Sequence, residues 1–358
     1  MTHVFVAPHP DDVALSCGGL VASLRELGQN VTILTVFSGN GSAAGLTAYQ
    51  REALGFGTKA VWPTTEAFNR ENVAADQAVG PAATAPYLAA ADRLDATQAD
   101  ADAAAKRFWQ RSSWYRRADI HNRPLAGQAL IDEVPQQGAV LTTELVEAKM
   151  AGDLMAARRL EDERYAYFAE ASIVFLDLPD AVFRGYEGDE QLLGAPRADD
   201  GAPVDLVVQE IARLEPQKVY LPLGIGGHVD HQLVRAAGVA LLELGRRWVM
   251  PDPEYAGIVT FYEDFPYAWW NGFGRLADLP AGALAGLPGD VALTPEFADI
   301  TETVERKIMG LTLYESQLER LFGGKDPMGD AVRGFGTRVA GLAGRSGFAE
   351  RYWATAKL

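Results

Sequence analysis

A single cysteine, Cys17, stands in the 358 residues of this chain. One thiol excludes an internal disulfide framework and the four-thiolate zinc sites. Histidine is scarce as well, occurring only as His3, His9, His121, His228 and His231. Any transition-metal site must draw on that short supply together with carboxylates. Positive charge is the minority sign: 32 Lys plus Arg stand against 48 Asp plus Glu, a net charge of −16. A net anion is poorly suited to phosphate backbones or anionic lipid, so neither nucleic acid nor membrane is expected as a partner. No apolar run approaches the roughly 18 residues of a membrane span. The N-terminus, MTHVFVAPHPDD, lacks a basic segment followed by an apolar run and does not read as a signal peptide. The expectation is a cytoplasmic protein.

What is present reads as strands alternating with helices. His3–Ala7 is a short apolar run, Val13–Leu27 carries helical spacing, and Val31–Phe37 is rich in β-formers, with Gly28 and Asn30 as the stop between them. The pattern resumes with strands at Ser172–Leu176, Lys218–Leu223 and Ala256–Tyr262. Helices are predicted at Val204–Leu214 and His231–Leu244, with one long amphipathic helix over Thr301–Leu321. This alternation predicts an α/β fold, a mostly parallel sheet with helices on both faces. From about Thr58 to Gln137 the texture changes to Ala, Asp and Gln, with Trp62, Trp109 and Trp114. Alanine favours helix and the tryptophans need burial, so 58–137 reads as a helical insertion within one domain spanning 1–358. It is read as a lid or as an oligomer contact, the latter making the protein a homo-oligomer. Gly272 to Gly289 reads as a surface loop.

Two segments carry chemistry. Pro8-His9-Pro10-Asp11-Asp12 falls where the first strand ends and the first helix begins. Proline and acids there suit a helix start on their own, but that does not account for the histidine beside them. His228-Val229-Asp230-His231 falls just past a later strand, after Gly224, Gly226 and Gly227, which let the backbone turn sharply. In open α/β sheets, sites form at the carboxyl ends of strands. The two segments together supply three N/O ligands with a position left open, which is what a catalytic zinc site needs. A nucleotide-binding protein is disfavoured, because PHPDD is not the Gly-rich phosphate cradle G-x-G-x-x-G.

PHPDD after the first strand and HVDH after a later one resemble the PIG-L/LmbE-like family of zinc-dependent N-deacetylases. Arg158 to Asp162 (RRLED), Leu176 to Asp180 (LDLPD) and Lys307 to Gln317 (KIMGLTLYESQ) resemble further segments of that family. The likeness covers roughly residues 1–50 and 155–320. It implies a Rossmann-like fold and a metal-dependent hydrolase that removes an acetyl group from an N-acetylated sugar or related small-molecule amide. It further implies one Zn2+ per chain held by His9, Asp12 and His231, although two histidines and a carboxylate suit other divalent transition metals too. Asp11 would be the general base on the metal-bound water. His228, oriented by Asp230, would act as an acid or stabilise the oxyanion. The alternatives are an amidase acting on thiol conjugates and a metal-binding protein of this fold without deacetylase activity.

Two departures stand out. The family's acid after the paired aspartates is Val13 here, and a tyrosine found two residues before the second motif in some members is Gly226. Tyr262 is a candidate replacement, or else a buried tyrosine with a satisfied hydroxyl. Arg159, Asp180 and Arg184 would suit a hydroxyl-rich or anionic substrate. Arg158 and Arg159 would equally suit helix ion pairs with Asp162 and Glu163. His3 and His121 are assigned no metal role, and Cys17 reads as a small packed hydrophobe.

Overall fold

The structure is a computed structural model. It describes residues 1–39, 47–49, 144–145, 147–149, 153–247, 257–272, 279 and 286–357. The insertion expected at 58–137, with His121 and its oligomer contact, lies outside the described residues, as does most of the loop expected after Gly272.

The opening segment folds as its pattern predicts. Strand β1 (Thr2–Ala7) leads into α1 (Asp12–Glu26) and then β2 (Asn30–Thr35). Gly28, at φ 70°, supplies the left-handed turn that ends the helix. Helix α2 (Leu154–Phe168) precedes β3 (Ser172–Phe175), and α3 (Ala202–Leu214) precedes β4 (Lys218–Pro222). Then follow α4 (Val229–Arg247) and β5 (Val259–Tyr262). The C-terminal part adds β6 (Val291–Asp299), α5 (Val304–Leu311), α6 (Glu315–Phe322), α7 (Lys325–Leu342) and β7 (Ala349–Lys357).

Among the described residues the strands form one sheet in the order β3-β2-β1-β4-β5-β7-β6. The first five run parallel; β7 is antiparallel to β5, and β6 to β7. The central strands are buried along nearly their whole length. Helix α1 packs with α5, and α3 packs with α4. The chain moves from β1 outward to β3, then returns to place β4 on the other side of β1. Right-handed crossovers put the helices of the two halves on opposite faces of the sheet. The sheet therefore has a switch point between β1 and β4, where His3 pairs with Lys218 and Phe5 with Tyr220.

Two expectations need correction. The single helix predicted over Thr301–Leu321 is two, broken around Thr312–Tyr314. The Thr312 hydroxyl donates back to the Met309 carbonyl at 2.7 Å. The Ser316 amide that opens α6 donates to the Glu161 carboxylate at 3.0 Å. The break turns Tyr314 and Gln317 inward, and both are buried. Strands β6 and β7 escape the reading because β6 carries Pro295 and β7 buries Glu350 and Arg351. Proline is tolerated in β6 because it is an edge strand. The buried charges are paired: Glu350 with Lys307 at 2.7 Å, and Arg351 with Glu263 at 2.5 Å.

Candidate metal centre

The switch point brings the two motifs together. The turn after β1 carries His9 and Asp11, with Asp12 opening α1, and the turn after the neighbouring β4 carries His228, with Asp230 and His231 in the first turn of α4. Ligands in open α/β sheets bind at this kind of crevice. Gly224, Gly226 and Gly227 all have positive φ, 82°, 91° and 74°, so the second loop turns in a way side-chain-bearing residues resist. At Gly226 there is no room for a side chain either: a Cβ would lie 2.5 Å from the Tyr267 ring. The tyrosine expected at that position is thus replaced by a glycine with Tyr267, from another loop, laid over it. Val13 packs into the core.

Asp12 sits between two imidazoles. Its Oδ2 lies 3.3 Å from His9 Nδ1 and 3.4 Å from His231 Nε2. Donor atoms around a tetrahedral zinc, each about 2.0–2.1 Å from the ion, lie about 3.3–3.4 Å apart. The donor types suit a zinc-type ion, and the two distances to Asp12 match that spacing. His9, His228 and His231 also form a buried group, with a nitrogen of each within 4.8 Å of the others.

The electrostatics follow from this crowding. Burial opposes charge on His9, but the Asp12 and Asp230 carboxylates bonded to it outweigh burial and lift it to about 10. Burial would raise Asp12, yet His231 and His9 hold it down at about 2. Asp11 goes the other way: burial, only partly offset by Arg158, pushes it up to about 8. His228 lies well below the ordinary histidine value, through burial and then the charge on His9.

Outer contacts orient these groups. His231 Nδ1 meets Asp264 Oδ1 at 2.6 Å, leaving Nε2 turned toward Asp12. The other Asp264 oxygen accepts the Ile225 amide at 2.9 Å, tying the loop after β5 to the loop after β4. A carboxylate behind a ligating histidine fixes its tautomer and raises its basicity. Sequence reasoning did not single out Asp264; its one signal was an acid just past a strand, in TFYEDFPY. Asp264→Ala should weaken zinc binding about 10–100-fold, read by competition with a chelator. Unaltered affinity would show that His231 needs no such support.

Asp230 acts differently from expectation. Its carboxylate holds His9 Nε2 at 2.9 Å, the Ala181 amide at 3.0 Å and Arg184 at 2.5 Å. What reaches His228 is its main-chain N–H, which donates to Nδ1 at 3.2 Å. Arg184 is occupied by Asp200, Asp230 and the Pro179 carbonyl, and lies over the Phe37 ring. Arg159 pairs with Asp177 and lies over Phe175. Neither arginine lines the cavity above the motifs; Arg158, Arg320 and Gln317 do, together with Asp180 and Tyr267. Asp180 Oδ2 also comes within 3.5 Å of His9 Nε2. Tyr262 is fully buried and donates to the Val6 carbonyl at 2.8 Å, so it is a structural tyrosine. Tyr262→Phe should cost about 1–2 kcal/mol in denaturant unfolding and leave turnover intact. His3 stacks with Tyr220, and Cys17 is buried.

Residues 4–70 match the PIG-L family, described as GlcNAc-PI de-N-acetylase. A 2'-N-acetylparomamine deacetylase of Streptomyces fradiae is 29% identical over 176 residues, 48% of this chain and 57% of that protein. The protein of the same name from Niallia circulans is 27% identical over 152 residues, 38% of this chain and 50% of its own. The matches thus span about half the length of these relatives. Among solved structures, the A40926 pseudoaglycone deacetylase Dbv21 superposes with a TM-score of 0.51 at 19% identity, covering 99% of this chain and 97% of its own. The zinc-inhibited form of teicoplanin deacetylase Orf2 gives 0.54 at 18% identity, covering 100% and 99%. Among the described residues, no helix is long and apolar enough to cross a membrane. Residues 4–70 thus resemble the PIG-L family, and the fold is shared along the chain with these two deacetylase structures.

Proposed function

We propose that this chain is a zinc-dependent hydrolase that removes the acetyl group from an N-acetylated sugar. The observation that carries this reading is the convergence of His9 Nδ1, Asp12 Oδ2 and His231 Nε2 beside the unligated carboxyl of Asp11. The names of the curated relatives support the substrate class, since both are 2'-N-acetylparomamine deacetylases. His9, Asp12 and His231 would hold the ion, which supplies Lewis acidity at the amide carbonyl and acidifies water beside it.

The chain's own residues do the rest. Asp11 takes the proton of the attacking water as the bond to the carbonyl carbon forms. Burial makes its carboxyl a stronger base than an exposed one, at about 8, with Arg158 opposing. The same carboxyl can then hand the proton to the departing nitrogen, which leaves poorly as an anion. His228 is a neutral imidazole whose Nδ1 accepts the Asp230 amide, so its proton sits on Nε2. That N–H is a donor for the oxyanion, and a preformed donor in a dry site costs no reorganisation. Of the two roles expected of His228, acid or oxyanion stabiliser, this reading takes the second. Asp180 lines the cavity beside His9 and can accept from a sugar hydroxyl.

The test is a panel of N-acetylated sugars that includes 2'-N-acetylparomamine, incubated with the zinc-loaded protein and scored by free amine. Amine release from at least one member is expected. Zinc retained with no release across the panel would overturn the enzymatic reading in favour of a metal-binding protein of this fold.

A further inference from the structure

An amide under hydrolysis has three parts that need separate places: the carbonyl oxygen, the acyl chain and the amine. With His228 donating to the oxygen and Asp11 taking the proton of the water, the acyl chain and the sugar must leave the carbonyl carbon in different directions. A methyl group is best placed against apolar side chains, whereas sugar hydroxyls need donors and acceptors. The walls of the cavity differ in just this way.

One wall is built from Leu15, Pro266, Tyr267 and Leu321, all of which line the cavity. They come from three segments that packing joins. Leu15 follows Asp11 by one turn of α1, and its amide donates to the Asp11 carbonyl at 2.9 Å. The next residue, Ser16, accepts the Phe265 amide on its hydroxyl at 3.1 Å, which brings the Pro266 segment up to α1. The Phe265 ring in turn stacks with Phe322 at 5.8 Å, which brings the same segment to the end of α6, where Leu321 stands. Tyr267 is confined on several sides. Its ring lies where a Cβ on Gly226 would come within 2.5 Å, and it meets the His231 and Trp270 rings at 5.6 and 5.8 Å, each at 84°. A ring packed so closely is a fixed surface and yields little to a larger ligand. The wall abuts the reacting centre, with Asp11 beside Leu15 and His231 beside Tyr267. Elsewhere the lining is mixed: Asp180 and Asp189 accompany Val182 and Leu192 in the segment after β3, and Arg158 comes from α2.

We propose that Leu15, Pro266, Tyr267 and Leu321 form the acyl pocket of this enzyme and restrict it to short acyl groups, the sugar lying toward Asp180 and Arg158. This rests on the reading of the site as an amide hydrolase and adds which part of the substrate each wall takes.

The experiment uses zinc-loaded protein and two kinds of probe. Acetohydroxamic and butyrohydroxamic acids chelate zinc and carry an acyl chain without a sugar, so their affinities report the pocket alone. 2'-N-acetylparomamine and its N-butanoyl analogue report kcat/KM. The acetyl compound should be preferred about tenfold or more in both series, the discrimination that an extra methylene meets in a tight pocket. Leu321→Ala should relax that preference about tenfold in both, and Tyr267→Leu should act in the same direction. Leu192→Ala, in the segment after β3, should leave the acyl preference within about twofold. An unchanged preference in Leu321→Ala and Tyr267→Leu would overturn the pocket, and so would an equal relaxation in Leu192→Ala. Should neither sugar amide be cleaved while the hydroxamates still sort by chain length in a way that depends on Leu321, the reading as a sugar deacetylase fails and the acyl pocket stands.

Discussion

Asp11→Asn should lower kcat for an N-acetylated sugar by about 10²–10⁴-fold while the protein keeps its zinc. That range is what a positioned general base contributes. Asparagine has almost the same shape and can still accept from Arg158, so the loop should stay folded, but it cannot take a proton. The substitution also leaves His9, Asp12 and His231 in place, which makes metal content the control within the same experiment. Equal falls in metal content and turnover would move Asp11 from the base to the ligand set. Unchanged turnover would remove it from the mechanism.

The second large effect is on metal retention. Asp12→Ala should strip the ion and abolish turnover, because Asp12 Oδ2 is the atom placed between the two imidazoles at 3.3 and 3.4 Å. His231→Ala should do the same. His228→Ala should retain zinc and lose turnover, which distinguishes this ligand set from the alternative group of three imidazoles. Zinc binding should also depend on pH in a defined direction. Despite burial, the Asp12 and Asp230 carboxylates raise His9 to about 10, so an ion must displace a proton to bind there. Apparent zinc affinity should therefore rise with pH between about 6 and 9, near tenfold per unit for each proton released. A flat profile would show that His9 does not give up a proton to the ion.

The two motifs were legible because each lies within a few residues of a strand end, and local pattern places strand ends well. That they would meet depended on β1 and β4 being neighbours, which the alternation implied but could not fix. The supporting groups were less visible. Asp264 reaches His231 from a third loop, and Tyr314 reaches Asp162 from the break between α5 and α6. Arg184 and Arg159 were plausible substrate contacts by residue type, since a guanidinium fork suits a ligand and a buried carboxylate equally. Only packing shows that Asp200, Asp230 and Asp177 take them. Strands β6 and β7 were hidden for a related reason. Glu350 and Arg351 look like surface residues until their partners Lys307 and Glu263 are seen beside them.

The meeting of β1 and β4 has a consequence for how the chain would acquire a metal ion. His9 and Asp230 are 221 positions apart in sequence, and His231 follows His9 by 222 positions and Asp12 by 219. A chain emerging during synthesis would hold only half a ligand set until β4 docked against β1. An ion binding only the finished arrangement adds its binding free energy to folding, as RT ln(1 + [Zn]/Kd). With an ion bound, the centre would also be a staple that joins the first strand of the sheet to its second half, and chelation should then lower the melting temperature as well as stop turnover.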